Sequence, residues 1–417
     1  MKNISNRVNK TETIVIAGAG FGGIIAALKL EKRIRRLERQ CRIVLIDKNP
    51  YQLYTPALYE IAAIPREEAS AYALKSSVAI PLDQVLDKKR IAFLQAEITG
   101  IDKEHRAVTL QDGSRITYRW LVLALGSTTN YFAIPGLQEH AFPLKTFSDA
   151  VRIRNKLETM LIQTHALNVV IGGGGASGVE LIAEFANFIC YLQHKVAKEH
   201  LCKNRLTLVE SAPDILPGFD SWMVAHARKR LQSQGIEICT NTLIVEVSDK
   251  EIVCKDGGRI PYDLFIWTGG VTGLPLYASF GLPTSKKHNL VVNEFLQAAP
   301  GIYAIGDAAG FTDPSTNTML VWNVPVAEGQ ARAVADNIVR ELKQLPLRPF
   351  KPLARYPFIL AVGKKYALAD LLFLRCAGLS GWVIKLLVEL RYLLFILPFG
   401  KAIRTWMWSV RVYVSND

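Results

Sequence analysis

The stretch VVIGGGGASGVELIAEF, from Val169 to Phe185, joins an apolar run to a glycine-rich turn and the opening of a helix. The same order of pieces has already occurred once, in IVIAGAGFGGIIAALKL from Ile14 to Leu30. A strand that passes into a helix through G-x-G-x-x-G spacing aims backbone N–H groups and a helix N-terminus at a pyrophosphate. In the first copy Gly18 makes the tight turn, Gly20 lets backbone approach phosphate and Gly23 lets the helix lie on its strand. Gly173, Gly175 and Gly178 repeat those roles in the second. Two such units demand an α/β chain with two Rossmann-like dinucleotide-binding domains. With 417 residues, half of them hydrophobic, the chain can build two cores and an appendage.

Each fingerprint is followed by a second strand ending in an acid. RIVLIDKN ends in Asp47, where a carboxylate can accept hydrogen bonds from ribose hydroxyls, and RLTLVES ends in Glu210. A carboxylate at Glu210 welcomes a 2′-hydroxyl and repels a 2′-phosphate, and no Arg follows it directly, so NADH is expected rather than NADPH. The plainer alternative is an ordinary strand-end charge. Far downstream, GIYAIGDAAGF places Gly306 and Asp307 after a third short strand.

The formal charge of +13 raises nucleic acid or an anionic membrane as partners, and its distribution separates them. Residues 342–417 hold 12 Lys/Arg against 3 Asp/Glu, a surplus of 9. These basic residues are interleaved with long aliphatics and with Trp382, Trp406, Trp408, Tyr392 and Tyr413, without a nucleic-acid motif. Aromatic rings and snorkelling cations favour a lipid headgroup boundary. The longest apolar run, WVIKLLVELRYLLFIL, contains Lys385, Glu389 and Arg391 and is short for a spanning helix. An alternative use of that run is buried packing or a dimer interface. The six cysteines show no CxxC spacing and no clustering, so no metal site, redox pair or disulfide framework is expected, and a reducing compartment follows. The polar MKNISNRVNKTET leads straight to the strand at Ile14 with no separate apolar region, so no export signal is expected.

Two glycine fingerprints, LVLALGSTTN between them and the late AIGDAA resemble the two-dinucleotide flavoproteins of the pyridine nucleotide:disulfide oxidoreductase type. That resemblance implies FAD on the first fold, NAD(P)H on a second fold inserted into it, and Gly126, Gly306 and Asp307 against the flavin. FIWTGGVTG would supply Gly269 and Gly270 as the loop crossed by the nicotinamide half. Many relatives pass electrons to a cysteine pair, yet this chain has no cysteine between Cys41 and Cys190. Sulfide:quinone reductases use separated cysteines and stay open as an alternative.

Finer likenesses follow. NPYQLYTPALYEIAA, PFILAVGKKYALADL and GWVIKLLVELRYLLFILPFGKAIRTWMW resemble segments of type II NADH:quinone oxidoreductases, single-subunit respiratory dehydrogenases that do not pump protons. This likeness implies Thr55 and Pro56 near the isoalloxazine and Glu180 near the meeting of nicotinamide and flavin, where it orients the nicotinamide or relays protons. A helix-terminus role through the macrodipole is the plainer reading of Glu180. One departure stands out. Where these enzymes carry Ala-Gln-x-Ala-x-Gln, this chain has VPVAEG, with Pro325 and Gly329 in place of the glutamines and Gln330 adjacent. Pro325 and Gln330 are the expected quinone-side residues.

The expected architecture is an FAD domain over 1–140 and 280–340, an NADH domain over 141–279, and a membrane-associating region over 341–417. The expected protein is an FAD flavoenzyme moving two electrons from NADH to a membrane quinone, peripheral on the cytoplasmic side of the cell membrane, with a homodimer left open. The competing readings are a soluble NADH-dependent reductase of an electron-carrier protein and a flavoprotein sensor.

Overall fold

The computed structural model describes residues 12–37, 41–67, 69–164, 166–197 and 204–414. The N-terminal segment read as lacking an export signal, and Cys202, lie outside them. The chain divides into two compact units. The first comprises Met1–Gln52, Pro81–Ser127 and Thr272–Ala354; the second comprises Leu53–Ile80, Thr128–Val271 and Arg355–Asp417.

In the first unit a six-stranded sheet runs Gln297–Ala299, Ile302–Ala304, Trp120–Leu123, Glu12–Ala17, Cys41–Asp47, Ile91–Gln95. Its pairings are parallel except at the Gln297–Ala304 hairpin. Ile14, Val15, Ile16 and Ala17 are fully buried, as expected of a parallel strand covered on both faces. The helix Phe21–Arg35 makes the crossover to Cys41–Asp47 and lies along the helix Val324–Leu342. Three basic residues, Lys32, Arg33 and Arg35, complement the C-terminal end of its dipole.

The second unit repeats the plan with a five-stranded parallel sheet: Phe142–Pro143, Leu264–Trp267, Asn168–Gly172, Arg205–Val209, Glu237–Cys239. After Arg355 the chain adds an antiparallel sheet of Phe358–Ala361, Ala367–Asp370 and Arg375–Gly378, then the helices Leu379–Ile396 and Phe399–Val414. These elements share a core with the nucleotide fold of this unit. Leu360, Leu368, Leu386, Val412 and Tyr413 belong to the same buried cluster as Val169, Ile171, Phe185 and Ile189. Among the described residues no helix is long and apolar enough to cross a membrane.

Cysteine chemistry departs from expectation at one place. Cys190 is disulfide-bonded, while Cys41, Cys239, Cys254 and Cys376 take part in no disulfide. Sequence spacing does not reveal such a bond, because pairing depends on how closely folded segments approach.

Candidate active site

Both fingerprints fold into the same cradle. At the first, the Gly18 N–H donates to the Ile46 carbonyl at 2.8 Å, and at the second the Gly173 N–H donates to the Val209 carbonyl at 2.8 Å. Both glycines have left-handed φ, +102° and +106°. A Cβ on Gly18 would sit 2.3 Å from the Ala124 carbonyl oxygen, and one on Gly173 would sit 2.6 Å from the Gly269 backbone. Gly23 and Gly178 let each helix close on its turn: a Cβ there would meet the Gly18 and Gly173 oxygens at 1.8 and 2.0 Å. By contrast, a Cβ on Gly20 or Gly175 would touch nothing within 4 Å. Open space therefore stands before each helix N-terminus, where a pyrophosphate fits.

The acids complete the symmetry. Asp47 accepts from the Ala19 N–H at 2.7 Å and the Asn49 N–H at 2.8 Å. Glu210 accepts from the Gly174 N–H at 2.7 Å and the Ala212 N–H at 2.8 Å, with the Ser211 hydroxyl at 3.1 Å. Backbone bonds thus pre-aim both carboxylates and leave lone pairs for ribose hydroxyls.

The first cradle is finished by residues far apart in sequence. Ser127 donates to Asp307 at 2.6 Å, and the Tyr277 hydroxyl donates to the Gly126 carbonyl at 2.7 Å. Gly126 and Gly306 have φ of +79° and +63°. Gln330 is buried, and its side-chain oxygen accepts from the Gly306 N–H at 2.7 Å. Pro325 lies in the first turn of the helix Val324–Leu342, which Asn323 caps through the Val326 N–H at 2.9 Å. The Trp322 indole N–H is buried without a protein partner, and the Lys287 ammonium lies 5.2 Å from that ring. An orphaned donor, open space at Gly20 and a pre-aimed Asp47 fit a bound FAD.

The second cradle gathers Gly173, Gly175, Gly178, Glu210, Gly269 and Gly270 in one unit. Thr268 ties its turn down, its hydroxyl donating to the Gly172 and Gly173 carbonyls at 3.1 and 3.0 Å. Gly269 abuts the Trp267 ring, where a Cβ would come within 2.3 Å. The Trp267 indole donates to the Asn130 carbonyl at 2.7 Å. Thr55 and Pro56 are exposed in the 3-10 turn Thr55–Ala57, in this same unit, while Ala57 is buried.

Glu180 projects from the helix Ala176–Ala197 into a buried ionisable cluster. Its Oε1 accepts from the Ala361 N–H at 3.4 Å. Burial pushes its carboxyl up to about 8, against the pull of Lys385 and of that N–H. Lys385 pairs with buried Glu60. Burial works against this ammonium, yet Glu60, aided by Glu184 and Glu389, holds its pKa above the ordinary lysine value. Glu389 is 3% exposed, and burial raises it to about 7 although Lys385 and Ser409 lower it. Burial also raises the phenols of Tyr54, Tyr59 and Tyr413 far above their usual value. In the sequence, Lys385 and Glu389 read as charges interrupting an apolar run. Their i, i+4 spacing on one helix face was the signal for a shared buried site.

A chain with two such cradles, one finished by a late Gly-Asp, is a two-dinucleotide oxidoreductase by fold. Residues 12–331 match the pyridine nucleotide-disulphide oxidoreductase family, and the chain belongs to it. Within it, the chain is 31% identical over 346 residues to the type II NADH:quinone oxidoreductase of Staphylococcus aureus, covering 79% of this chain and 82% of that one. It is 29% identical over 389 residues to demethylphylloquinone reductase NdbB of Synechocystis, covering 90% and 91%. The fold is also that of NDH2 from Plasmodium falciparum in complex with NADH, at a TM-score of 0.81 and 19% identity over 96% of this chain and 98% of that one.

Proposed function

We propose that this protein oxidises NADH and passes two electrons to a quinone at a membrane surface. The observation that carries this is the pair of matched cradles, the first completed by Asp307 and containing no cysteine pair. FAD, held by Gly18, Gly20, Gly23, Asp47, Gly126, Gly306 and Asp307, supplies the hydride and electron chemistry; the protein supplies binding, orientation and proton control. Glu210 selects the 2′-hydroxyl of NADH, and Gly269 and Gly270 leave room for the nicotinamide half.

Glu180 is the catalytic acid of this scheme. With a pKa of about 8 it carries its proton at neutral pH, while its Oε1 is engaged by Ala361. Lys385 pairs with Glu60 beside it, so the lysine's charge is compensated within the cluster. Pro325 and Gln330 form the acceptor side, with Gln330 acting through the Gly306 N–H it holds.

The tail supports a peripheral location on the cytoplasmic face. Leu379, Val383, Leu387 and Leu394 are exposed along the helix Leu379–Ile396, and Met407, Trp408 and Val414 along Phe399–Val414, with Arg391, Arg404 and Arg411 exposed between them. Such faces sit in the headgroup boundary without crossing it. We assign FAD binding to the first compact unit, NADH binding to the second, and membrane association to the two helices that end the second.

The test is acceptor choice. Purified protein should turn over NADH with a short-chain ubiquinone or menaquinone and leave an iron–sulfur carrier oxidised. Reduction of the carrier without quinone turnover would establish the electron-carrier reductase instead.

A further inference from the structure

Two tyrosine hydroxyls of the second unit are sealed in its core without a partner. Tyr59, on the helix Leu58–Ala62, is 3% exposed and Tyr413, on the helix Phe399–Val414, is 1% exposed, and neither phenol oxygen closes a hydrogen bond among the described residues. A buried hydroxyl left in that condition bears its full desolvation cost, and protein interiors relieve such a deficit with an ordered water that makes about three hydrogen bonds. Both rings stand around one charge: the Lys385 ammonium lies 5.1 Å from the Tyr59 ring centroid and 5.4 Å from that of Tyr413. The two phenols therefore flank one polar spot.

An acid stands at each end of this pair. Tyr59 lies within electrostatic reach of Glu180 and of Tyr413, and Tyr413 within reach of Glu389. The order Glu180, Tyr59, Tyr413, Glu389 thus crosses four helices of one unit. Glu180 keeps part of its surface open, whereas Glu389 is 3% exposed. The other ionisable groups facing Glu389 are Lys385, Glu60 and Tyr54. Lys385 is held as an ammonium by Glu60, so it does not take the acids' protons. Ser409 stands beside Glu389 and Tyr413, and its hydroxyl donates to the Ser77 and Thr405 carbonyls at 3.1 Å each.

We propose that Glu389 is a proton reservoir that reloads Glu180, the proton passing through Tyr413, an internal water and Tyr59. This rests on the quinone reduction proposed above and extends it to the far end of the cluster. A quinone becomes a quinol by taking two electrons and two protons, while NADH brings two electrons and one proton. One proton per turnover therefore comes through the protein. Glu180 gives it and is left a carboxylate. In reloading, the Glu389 O–H bond breaks, each hydroxyl and the water accept one proton and release another, and an O–H bond forms on Glu180. No electron moves, and Glu389 is refilled from bulk water. The transfer runs downhill, from a carboxyl at about 7 to one at about 8.

The experiment uses the full-length, FAD-loaded protein, reduced anaerobically with NADH and mixed with a short-chain ubiquinone. Glu389→Gln should reoxidise at the unaltered rate in the first turnover, drawing on the proton already on Glu180, and then turn over about tenfold or more slowly. Those later turnovers should slow further in deuterium oxide. Tyr59→Phe and Tyr413→Phe keep the ring, lose only the hydroxyl and should behave in the same way; Glu180→Gln should be slow from the first turnover. Steady-state turnover of the unaltered protein should fall as pH rises past about 7, and Glu389→Gln should lose that inflection while keeping the one near 8. Flavin content and reduction by NADH report folding, and the two phenylalanine variants carry the test if Glu389→Gln does not hold FAD. Unaltered turnover in Glu389→Gln and Tyr413→Phe would refute the reservoir and leave quinone reduction standing. A first turnover as slow as the later ones would reduce Glu389 to packing and overturn the proposal. Failure of the unaltered protein to reduce quinone would overturn both readings.

Discussion

The two cradles differ by one methylene, and the chain answers it one residue into each fingerprint. In the first, Asp47 faces Ala19; in the second, Glu210 faces Gly174. A Cβ on Gly174 would lie 2.9 Å from the Glu210 Cβ and 3.2 Å from its Cγ and Oε2, so the way this acid approaches the turn leaves room only for glycine. The shorter Asp47 admits alanine. The N–H···carboxylate bond is 2.7 Å in both, so acid and partner have exchanged volume at constant hydrogen-bond geometry. Each cradle is a co-adjusted pair that aims a carboxylate at a ribose; its surroundings then make it a resident or an exchanging site.

The largest expected effect comes from breaking the first turn. Gly18→Ala forces a Cβ to 2.3 Å from backbone oxygen at a φ that alanine disfavours, and the protein should be purified without flavin absorbance. Gly174→Ala comes next: it should raise the NADH dissociation constant by about ten- to a hundredfold, or roughly 1.4 to 3 kcal/mol, and leave flavin content unchanged. Adding Glu210→Asp should recover part of that loss, because the pair then imitates Ala19 and Asp47. No recovery in titrations of the double variant would break the volume-exchange account.

Gln330→Ala should act on the first cradle only. It leaves the Gly306 N–H without its acceptor, a loss of about 1–3 kcal/mol, read as weaker FAD retention on dialysis. Gln330→Glu keeps an acceptor oxygen and should retain flavin better. Retention unchanged in Gln330→Ala would mean that the bond does not support the flavin loop.

A separate effect, on stability rather than on nucleotide binding, is the pH dependence of the second unit. Glu180 and Glu389, at about 8 and about 7, keep protons in the folded chain that an unfolded carboxyl near 4.5 releases. The folded state binds more protons across that interval, so unfolding free energy should fall as pH rises from about 4.5 to about 8. Glu389→Gln should flatten this fall in denaturant midpoints taken across the range. A stability that climbs with pH over the same window would contradict the buried-acid description.

Both cradles were legible because steric demand fixes glycine at set spacings and an acid closes the following strand. Gln330 illustrates the other case: both it and Gly306 stand in readable segments, but no spacing marks the bond between them across 24 residues. The Glu60–Lys385 pair is unmarked for the same reason, since 325 residues separate its members. The tail's aromatic and basic composition was readable. That its inner face completes a core with Phe185 and Ile189 was not, and for that reason point changes test this region better than truncation.

The central claim is one nucleotide per cradle, with FAD resident in the first and NADH exchanging in the second. Anaerobic mixing of NADH with FAD-loaded protein, unaltered and Gly173→Ala, tests it most directly. The unaltered protein should lose its flavin absorbance with one equivalent of NADH and regain it on addition of quinone. Gly173→Ala should keep its FAD and be bleached by dithionite but not by NADH. Loss of FAD from Gly173→Ala, or bleaching by NADH at the unaltered rate, would contradict the assignment.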